Sequence, residues 1–156
     1  MFETARRIAK KSPNRYKHVW IVYDTDDFPP EHINLVPDLC ESENQKSEDT
    51  IYHANWSNQC FELWYLLHFN LLRSDLHRKE YFPKLSAYLK QQGAGSYEKN
   101  RKDIYSILEP YLDKAISNAD ELEEANSGKA PSEAAPGTMV HHILKKLRPY
   151  LSAEHT

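Results

Sequence analysis

A short acidic segment follows an apolar run near the start of the sequence. Asp24 directly follows the run His18–Tyr23. One residue separates Asp24 from Asp26, and Asp27 follows Asp26. In an extended chain, residues two apart point to the same side, so the two carboxylates could hold a hard divalent ion such as Mg²⁺ for phosphoryl chemistry. The alternative is a solvated turn before a helix that begins at two prolines. Because D-x-D patterns are short and common, the pattern alone favours the turn.

A second polar group interrupts an apolar segment further along the chain. Glu62 would lie in the first turn of a helix predicted over residues 59–72, where the helix dipole favours a negative charge. Its sequence neighbours are apolar, and a carboxylate in such surroundings needs a partner or a metal. A structural glutamate and a functional one fit this pattern equally well. Ser57 and Asn58 precede the helix and are predicted to cap its N-terminus.

Histidines and cysteines give weaker signals. His68 lies on the same apolar helix, where a hydrogen-bonded core residue is a more common role than catalysis. Cys60 has no neighbour that would activate it, which indicates a small core residue. His141 and His142 are adjacent on a predicted helix, and neighbouring helical residues diverge by about 100°, so the two would not easily share a metal ion.

Basic residues form a candidate phosphate-binding surface. Some lie in the first predicted helix, and others follow the apolar helix. They could contact a nucleic-acid backbone, and solvated helix faces account for them equally well. These residues are Arg6, Arg7, Lys10, Lys11, Arg73, His77, Arg78, Lys79 and Lys84.

Strands and helices in the first half, and helices alone in the second, would position these residues. The run 18–23 is β-branched and aromatic, as in a buried strand of a parallel sheet, and ligands bind at the carboxyl ends of such strands. The pattern predicts an α/β fold, with a partial parallel sheet flanked by helices in 1–72 and an all-helical part in 73–156. Further helices are predicted at 2–11, 31–39, 97–125 (kinked or divided at Pro110) and 138–151, and a second strand at 50–56. Residues 41–49 are predicted to be a loop or a frayed helix end, and residues 126–137 a mobile loop.

Length and composition fit a single soluble domain. The chain has 156 residues, 40% of them hydrophobic, and a formal net charge of −3. No apolar run of about 18 residues is present, and we expect no membrane association. Two cysteines do not suggest a secreted disulfide framework, so we expect a reducing, cytoplasmic setting. The near-neutral charge argues against nonspecific nucleic-acid binding by bulk charge.

Two segments together resemble the RloB-like family. They are VWIVYDTDDF at residues 19–28 and SNQCFELWYLLHF at residues 57–69, with weaker matches at 97–100 and 136–141. The resemblance spans nearly the whole chain, and its second segment is the specific one. It implies a Toprim-like fold and a role in phage defence or abortive infection, beside restriction-modification systems and often with an AAA-type ATPase.

The resemblance also implies roles for individual residues. Asp24 and Asp26 match the D-x-D that binds Mg²⁺ in Toprim domains for strand cleavage or joining. Glu62 matches the F-E-L-W element and would complete or support the catalytic site. The resemblance extends supporting roles to Asp27, Ser57, Asn58 and His68.

The sequence departs from the family pattern in two places. Gln59 stands where the family has a proline in its S-N-P-C-F-E element. Family members also begin with a strand that ends in a motif containing glycine and glutamate, and we expect an N-terminally shortened form that lacks this catalytic glutamate. Two functions follow as alternatives: a Mg²⁺-dependent, Toprim-type nuclease acting on nucleic-acid phosphodiesters, and a non-catalytic module that binds a partner ATPase or a second copy of itself.

Overall fold

The first half of the chain alternates helices and strands, and the second half is mostly helical. The structure is a computed structural model that describes residues 1–47 and 49–151. Short 3₁₀ turns at Arg78–Glu80 and Glu109–Tyr111 precede the fourth and sixth helices. This confirms the predicted α/β fold, but the part predicted to be all-helical also contains a strand of two residues, Gly137–Thr138. In chain order the elements are α1 (Phe2–Lys11), β1 (His18–Asp24), α2 (Pro30–Asn44), β2 (Ile51–Asn58), α3 (Glu62–Leu67), α4 (Tyr81–Gln91), α5 (Ile104–Leu108), α6 (Leu112–Ala125), β3 (Gly137–Thr138) and α7 (Val140–Leu151).

The three strands form one mixed sheet in the order β1–β2–β3. β1 and β2 are parallel, with His18 opposite Ile51 and Asp24 opposite Ser57. β3 is antiparallel to β2 and pairs with its last two residues. Because the two parallel strands end at almost the same level, the segments that follow Asp24 and Asn58 leave the sheet at one edge. That edge is where an α/β sheet presents ligand-binding residues.

Two clusters of apolar side chains hold the elements together. The first packs α1 and α2 against the sheet and includes Ile21, Tyr23 and Val36. The second joins α3 to α4, α6 and the start of α7, and its residues Leu63 and Leu85 are fully buried. Burying each such leucine contributes about 1.5–3 kcal/mol. α3 therefore follows the sheet edge directly and packs into the helical half through the second cluster.

The helix predicted over residues 59–72 is much shorter than the apolar pattern indicated. α3 covers only six residues. Side chains of α6 bind the backbone where α3 ends: Asn118 Nδ2 donates to the carbonyl of its last residue, Leu67, at 2.7 Å, and Lys114 Nζ donates to the Phe69 carbonyl at 2.5 Å. These donors lie 51 and 45 residues further along the chain, so no local pattern could show that the helix stops there.

Other boundaries differ from prediction for similar reasons. α2 extends through Asn44 into the segment predicted to be a loop or a frayed helix end, because the Asn44 side chain exchanges two hydrogen bonds with the Tyr52 backbone, at 2.7 and 2.8 Å. β1 is buried on one face only, with Val22 46% exposed, because α1 and α2 pack against the face that carries Ile21 and Tyr23. The predicted helix over 97–125 is α5 and α6, divided at Pro110 and beginning only at Ile104. None of the helices in the described ranges is long and apolar enough to cross a membrane.

Candidate functional site

The acidic segment after β1 is fixed to the segment after β2. The backbone N–H of Thr25 donates to the Ser57 carbonyl at 3.1 Å, and the N–H of Asp26 donates to the Gln59 carbonyl at 2.9 Å. Asp26 has a φ of +44°, a left-handed conformation that aspartate adopts more readily than most residues. The chain therefore leaves the extended conformation at Asp26, so strand alternation does not set the relation between Asp24 and Asp26.

Three residues with predicted catalytic roles meet in one cavity. Asp24, Asp26 and Glu62 line a space of about 510 Å³. A second cavity, of about 240 Å³, shares Asp24, Glu62 and Lys99 with the first. Carboxylates and cations thus face the same space at the sheet edge. The other residues that line the larger cavity are Cys60, Arg78, Lys79, Phe82 and Lys99.

The carboxylates in this cavity repel one another. Burial raises the pKa of Asp24, and the charges of Asp26 and Glu62 raise it further. The Phe61 backbone N–H and the Lys99 ammonium lower that pKa and so oppose this effect in part. A bound cation would relieve this repulsion, because it favours the ionised form of each carboxyl group.

The spacing of the carboxylates limits what kind of metal site this can be. Among the described residues, Asp24, Asp26 and Glu62 do not bring three ligand atoms within 4.8 Å of one another. A metal here would take one or two carboxylates and complete its shell with water or phosphate oxygens. Mg²⁺ accepts this coordination, so the residues fit a Mg²⁺ ion shared with a phosphate-bearing ligand.

Arg78 is the immediate partner of the acidic loop. Its Nη1 donates to Asp26 Oδ1, and its Nη2 donates to Asp27 Oδ2 at 2.7 Å. The hydrogen bond to Asp26 and the charge of Asp27 raise the pKa of Arg78. The Arg78 backbone N–H also donates to Gln59 Oε1 at 2.8 Å, so the side chain at position 59 helps to place Arg78. The sequence identified Arg78 as one of many basic residues and gave no sign of this pairing.

Glu62 is 6% exposed at the start of α3 and has a hydroxyl partner. Its Oε1 accepts a hydrogen bond from Tyr97 Oη at 3.0 Å. Burial and the Glu62 charge keep the pKa of Tyr97 above its ordinary value, so the hydroxyl remains a donor. Burial and Glu62 also raise the pKa of the neighbouring Cys60 thiol to about 12. Cys60 is therefore protonated at neutral pH, as expected of a core cysteine.

Ser57 and Asn58 do not cap a helix, so that prediction is wrong. They are the last two residues of β2, because β3 pairs with them and extends the strand. Ser57 Oγ lies 2.8 Å from Thr138 Oγ1, and Asn58 Nδ2 donates to the Pro131 carbonyl at 3.1 Å. These side chains tie β2 to β3 and to the loop before it.

His68 is a core residue at the end of α3. It is 3% exposed, and its Nδ1 lies 2.9 Å from the Trp64 carbonyl oxygen. The Trp64 and His68 rings also meet edge to face, with centroids 4.8 Å apart. Burial lowers the pKa of His68 to about 4, so the imidazole is neutral at physiological pH. These contacts support the structural role that the sequence pattern favoured.

Tyr97 and Lys99 lie in the candidate site, although they were not among the predicted site residues. Both line the smaller cavity, and Lys99 Nζ also lies 5.6 Å from the centroid of the Phe82 ring. Residues 97–103 were predicted to be helical, whereas the structure places them in an irregular segment beside Glu62. The signal that could have found these two residues is the weaker family-like match at residues 97–100.

The comparisons with known proteins agree with the motif evidence. A family profile described as RloB-like protein matches residues 1–147. No curated protein and no solved structure gives a significant match. The profile match includes the acidic loop after β1, all of α3, the segment that carries Tyr97 and Lys99, and the start of α7. The chain therefore belongs to the RloB-like protein family.

Proposed function

We propose that the protein is a Mg²⁺-dependent, Toprim-type nuclease that acts on nucleic-acid phosphodiesters in phage defence and abortive infection. The observation that carries this proposal is the shared cavity of Asp24, Asp26 and Glu62 with three cationic side chains. Metal-dependent phosphodiester cleavage uses carboxylates to hold the divalent ion and positive charge to hold the phosphate. The cavity at the sheet edge supplies both kinds of group.

Each residue of the cavity has a distinct role in the proposal. Asp24 and Asp26 would hold Mg²⁺, which when bound stabilises the negative charge that develops on the phosphoryl oxygens. Lys79 and Lys99 would contact the phosphate backbone. Glu62, held by the Tyr97 hydroxyl, would support the two aspartates from the first turn of α3.

Arg78 would couple substrate binding to metal binding. In the structure its guanidinium engages Asp26 and Asp27. A phosphate group offers the same bidentate geometry to arginine that a pair of carboxylate oxygens does. Substrate would therefore draw Arg78 away from the loop and free Asp26 for the metal.

The proposal is tested by cleavage of single- and double-stranded DNA and RNA with MgCl₂ or MnCl₂. Asp24→Asn combined with Asp26→Asn should abolish cleavage. Asp38→Asn, which changes an exposed aspartate of α2, should leave it intact. Absence of metal-dependent cleavage by the unmodified chain on all four substrates, together with no Mn²⁺ binding by titration, would refute the proposal.

The alternative is a non-catalytic module that binds an AAA-type ATPase or a second copy of itself. Arg78 already neutralises the Asp26 and Asp27 charges, and the strand order leaves β1 at a sheet edge that could pair with another strand. The two functions differ in the outcome of Arg78→Gln. A metal site gains Mn²⁺ affinity when Arg78 is removed, whereas an interaction module gains none. Light scattering of the chain alone and with the ATPase would then detect the assembly.

A cytoplasmic setting belongs to the same proposal. Cys40 and Cys60 are both free and buried. Burial raises the pKa of both thiols, Cys40 to about 11 and Cys60 to about 12. Unpaired, protonated core cysteines are common in proteins of a reducing compartment, which supports this placement.

A further inference from the structure

A second group of potential metal ligands lies between α6 and α7, away from the acidic loop. Glu123 belongs to α6, and His141 and His142 follow the first residue of α7. The Nε2 atoms of both histidines lie 2.9 Å from the same Glu123 oxygen, Oε2. The three ligand atoms all lie within 4.8 Å of one another. Two imidazoles and one carboxylate therefore converge on one point.

This convergence differs from the expectation that the adjacent His141 and His142 would not easily share a metal ion, because it brings ligand atoms of both close together. The two rings lie with centroids 4.2 Å apart and planes inclined by 39°, so they stand side by side rather than diverge. Their ring nitrogens meet because Glu123 reaches both from a neighbouring helix. Glu123 lies 18 residues before His141, so the spacing of the two histidines along α7 gives no sign of this third ligand.

We propose that Glu123, His141 and His142 bind a zinc ion. Two histidines and one glutamate are an established ligand set for zinc, with water in the fourth position. Imidazole nitrogen also selects zinc over Mg²⁺, which prefers a shell of oxygen ligands. The site would hence be chemically distinct from the acidic loop.

The geometry requires only a small adjustment to admit the ion. Bonds of about 2.1 Å in a tetrahedral centre place ligand atoms about 3.4 Å apart. The two nitrogen–oxygen distances of 2.9 Å would lengthen by about 0.5 Å. His141 has a fully buried side chain and provides a fixed ligand, whereas the side chains of His142 and Glu123 are 40% and 41% exposed and can move.

The surroundings of the three ligands suit a hydrated zinc ion. His142 lines an open groove of about 930 Å³, together with His18, His53 and Lys145, and solvent in this groove can supply the fourth ligand. Asp120 Oδ1 lies 3.2 Å from His141 Nε2 and is bound by Lys145 Nζ, so a further carboxylate stands next to the site and can accept a hydrogen bond from a zinc-bound water.

Zinc at this point would fasten α7 to α6. α7 begins just after β3, and the Met139 N–H between them donates to the Trp56 carbonyl of β2 at 2.9 Å. Because only the folded chain brings the three ligands together, zinc should raise the melting temperature. At a free concentration one hundred times Kd, the expected rise is about 5–11 °C for a chain of this length.

The test is calorimetric titration of the full chain with ZnCl₂ after treatment with a chelator. We expect one equivalent to bind, and millimolar MgCl₂ not to compete. His142→Ala and Glu123→Gln should each weaken binding at least about tenfold. His32→Ala, which removes an exposed histidine of α2, should not change it. Neither His142→Ala nor Glu123→Gln alters a fully buried side chain, so both variants should fold.

Three binding results would overturn the zinc site. They are absence of zinc binding, equal loss of affinity in His142→Ala and His32→Ala, and loss of zinc binding in the variant that carries both Asp24→Asn and Asp26→Asn. The last result would assign the zinc to the acidic loop. X-ray absorption at the zinc edge should show two imidazole ligands, and retention of that signature in His142→Ala would equally contradict the assignment.

Discussion

Tyr97→Phe should destabilise the protein by removing the hydroxyl partner of Glu62. The hydrogen bond is 3.0 Å long, and Glu62 is 6% exposed, so water does not readily replace the lost donor. Hydrogen bonds to charged groups contribute about 1.5–3 kcal/mol, and we expect a loss of about 2 kcal/mol. For a chain of this length, that loss lowers the melting temperature by about 4–8 °C. The ring remains in place against Tyr65 and Phe82.

The assay is urea unfolding followed by circular dichroism, with Tyr105→Phe as the matched control. Tyr105 also donates to a glutamate, Glu109 Oε1 at 3.2 Å, but is 52% exposed. Its loss should cost less than about 0.5 kcal/mol. In a Glu62→Gln background, Tyr97→Phe should cost only about 1 kcal/mol, because the hydrogen bond is then between neutral groups. Equal effects of Tyr97→Phe and Tyr105→Phe would refute the argument that burial of Glu62 sets the cost.

Three further predictions concern pH and packing. Asp24→Asn should raise the melting temperature at pH 7, because the pKa of Asp24 is raised in the folded state and its ionised form therefore lowers stability. Below about pH 3.9 Asp24 is protonated in both the folded and the unfolded chain, so melting curves should show that the gain disappears there. The pKa of His68 is lowered from 6.5 to about 4 in the folded state, so the free energy of unfolding should fall as the pH drops from 6.5 to about 4. His68→Gln should reduce the accompanying decrease in the urea midpoint. Gly137→Ala should lower the urea midpoint by an amount equivalent to about 1–3 kcal/mol, since a Cβ there would meet the Ala134 carbonyl oxygen at 2.5 Å and the Trp56 ring at 3.0 Å.

Local sequence patterns predicted the first helix and the first strand, because turn residues and strand propensity set their bounds. α1 ends at Lys11, just before Ser12-Pro13-Asn14, and β1 spans the β-branched and aromatic run before Asp24. The change from apolar strand to acidic loop correctly placed Asp24 at the carboxyl edge of the sheet. The apolar surroundings of Glu62 likewise indicated a buried carboxylate that needs a partner.

The rest depended on contacts between distant parts of the chain. Tyr97 lies 35 residues from Glu62, and Arg78 lies 52 residues from Asp26, so neither pairing has a local signal. β3 is only two residues long and exists because it pairs with Ser57 and Asn58. That pairing is also why those two residues extend a strand instead of capping a helix.

The short strand β3 also has a consequence for the order of events during translation. The Ser57 and Thr138 hydroxyls that meet across β2 and β3 lie 81 residues apart. At a synthesis rate of about 5–20 residues per second, the end of β2 leaves the ribosome roughly 4–16 s before its partner. During that interval a nascent chain carries an unpaired strand edge, which is a template for pairing with other chains. Pauses in translation that occur after Asn58 has left the ribosome and before Thr138 has done so should therefore increase misassembly, whereas pauses after both have left should not.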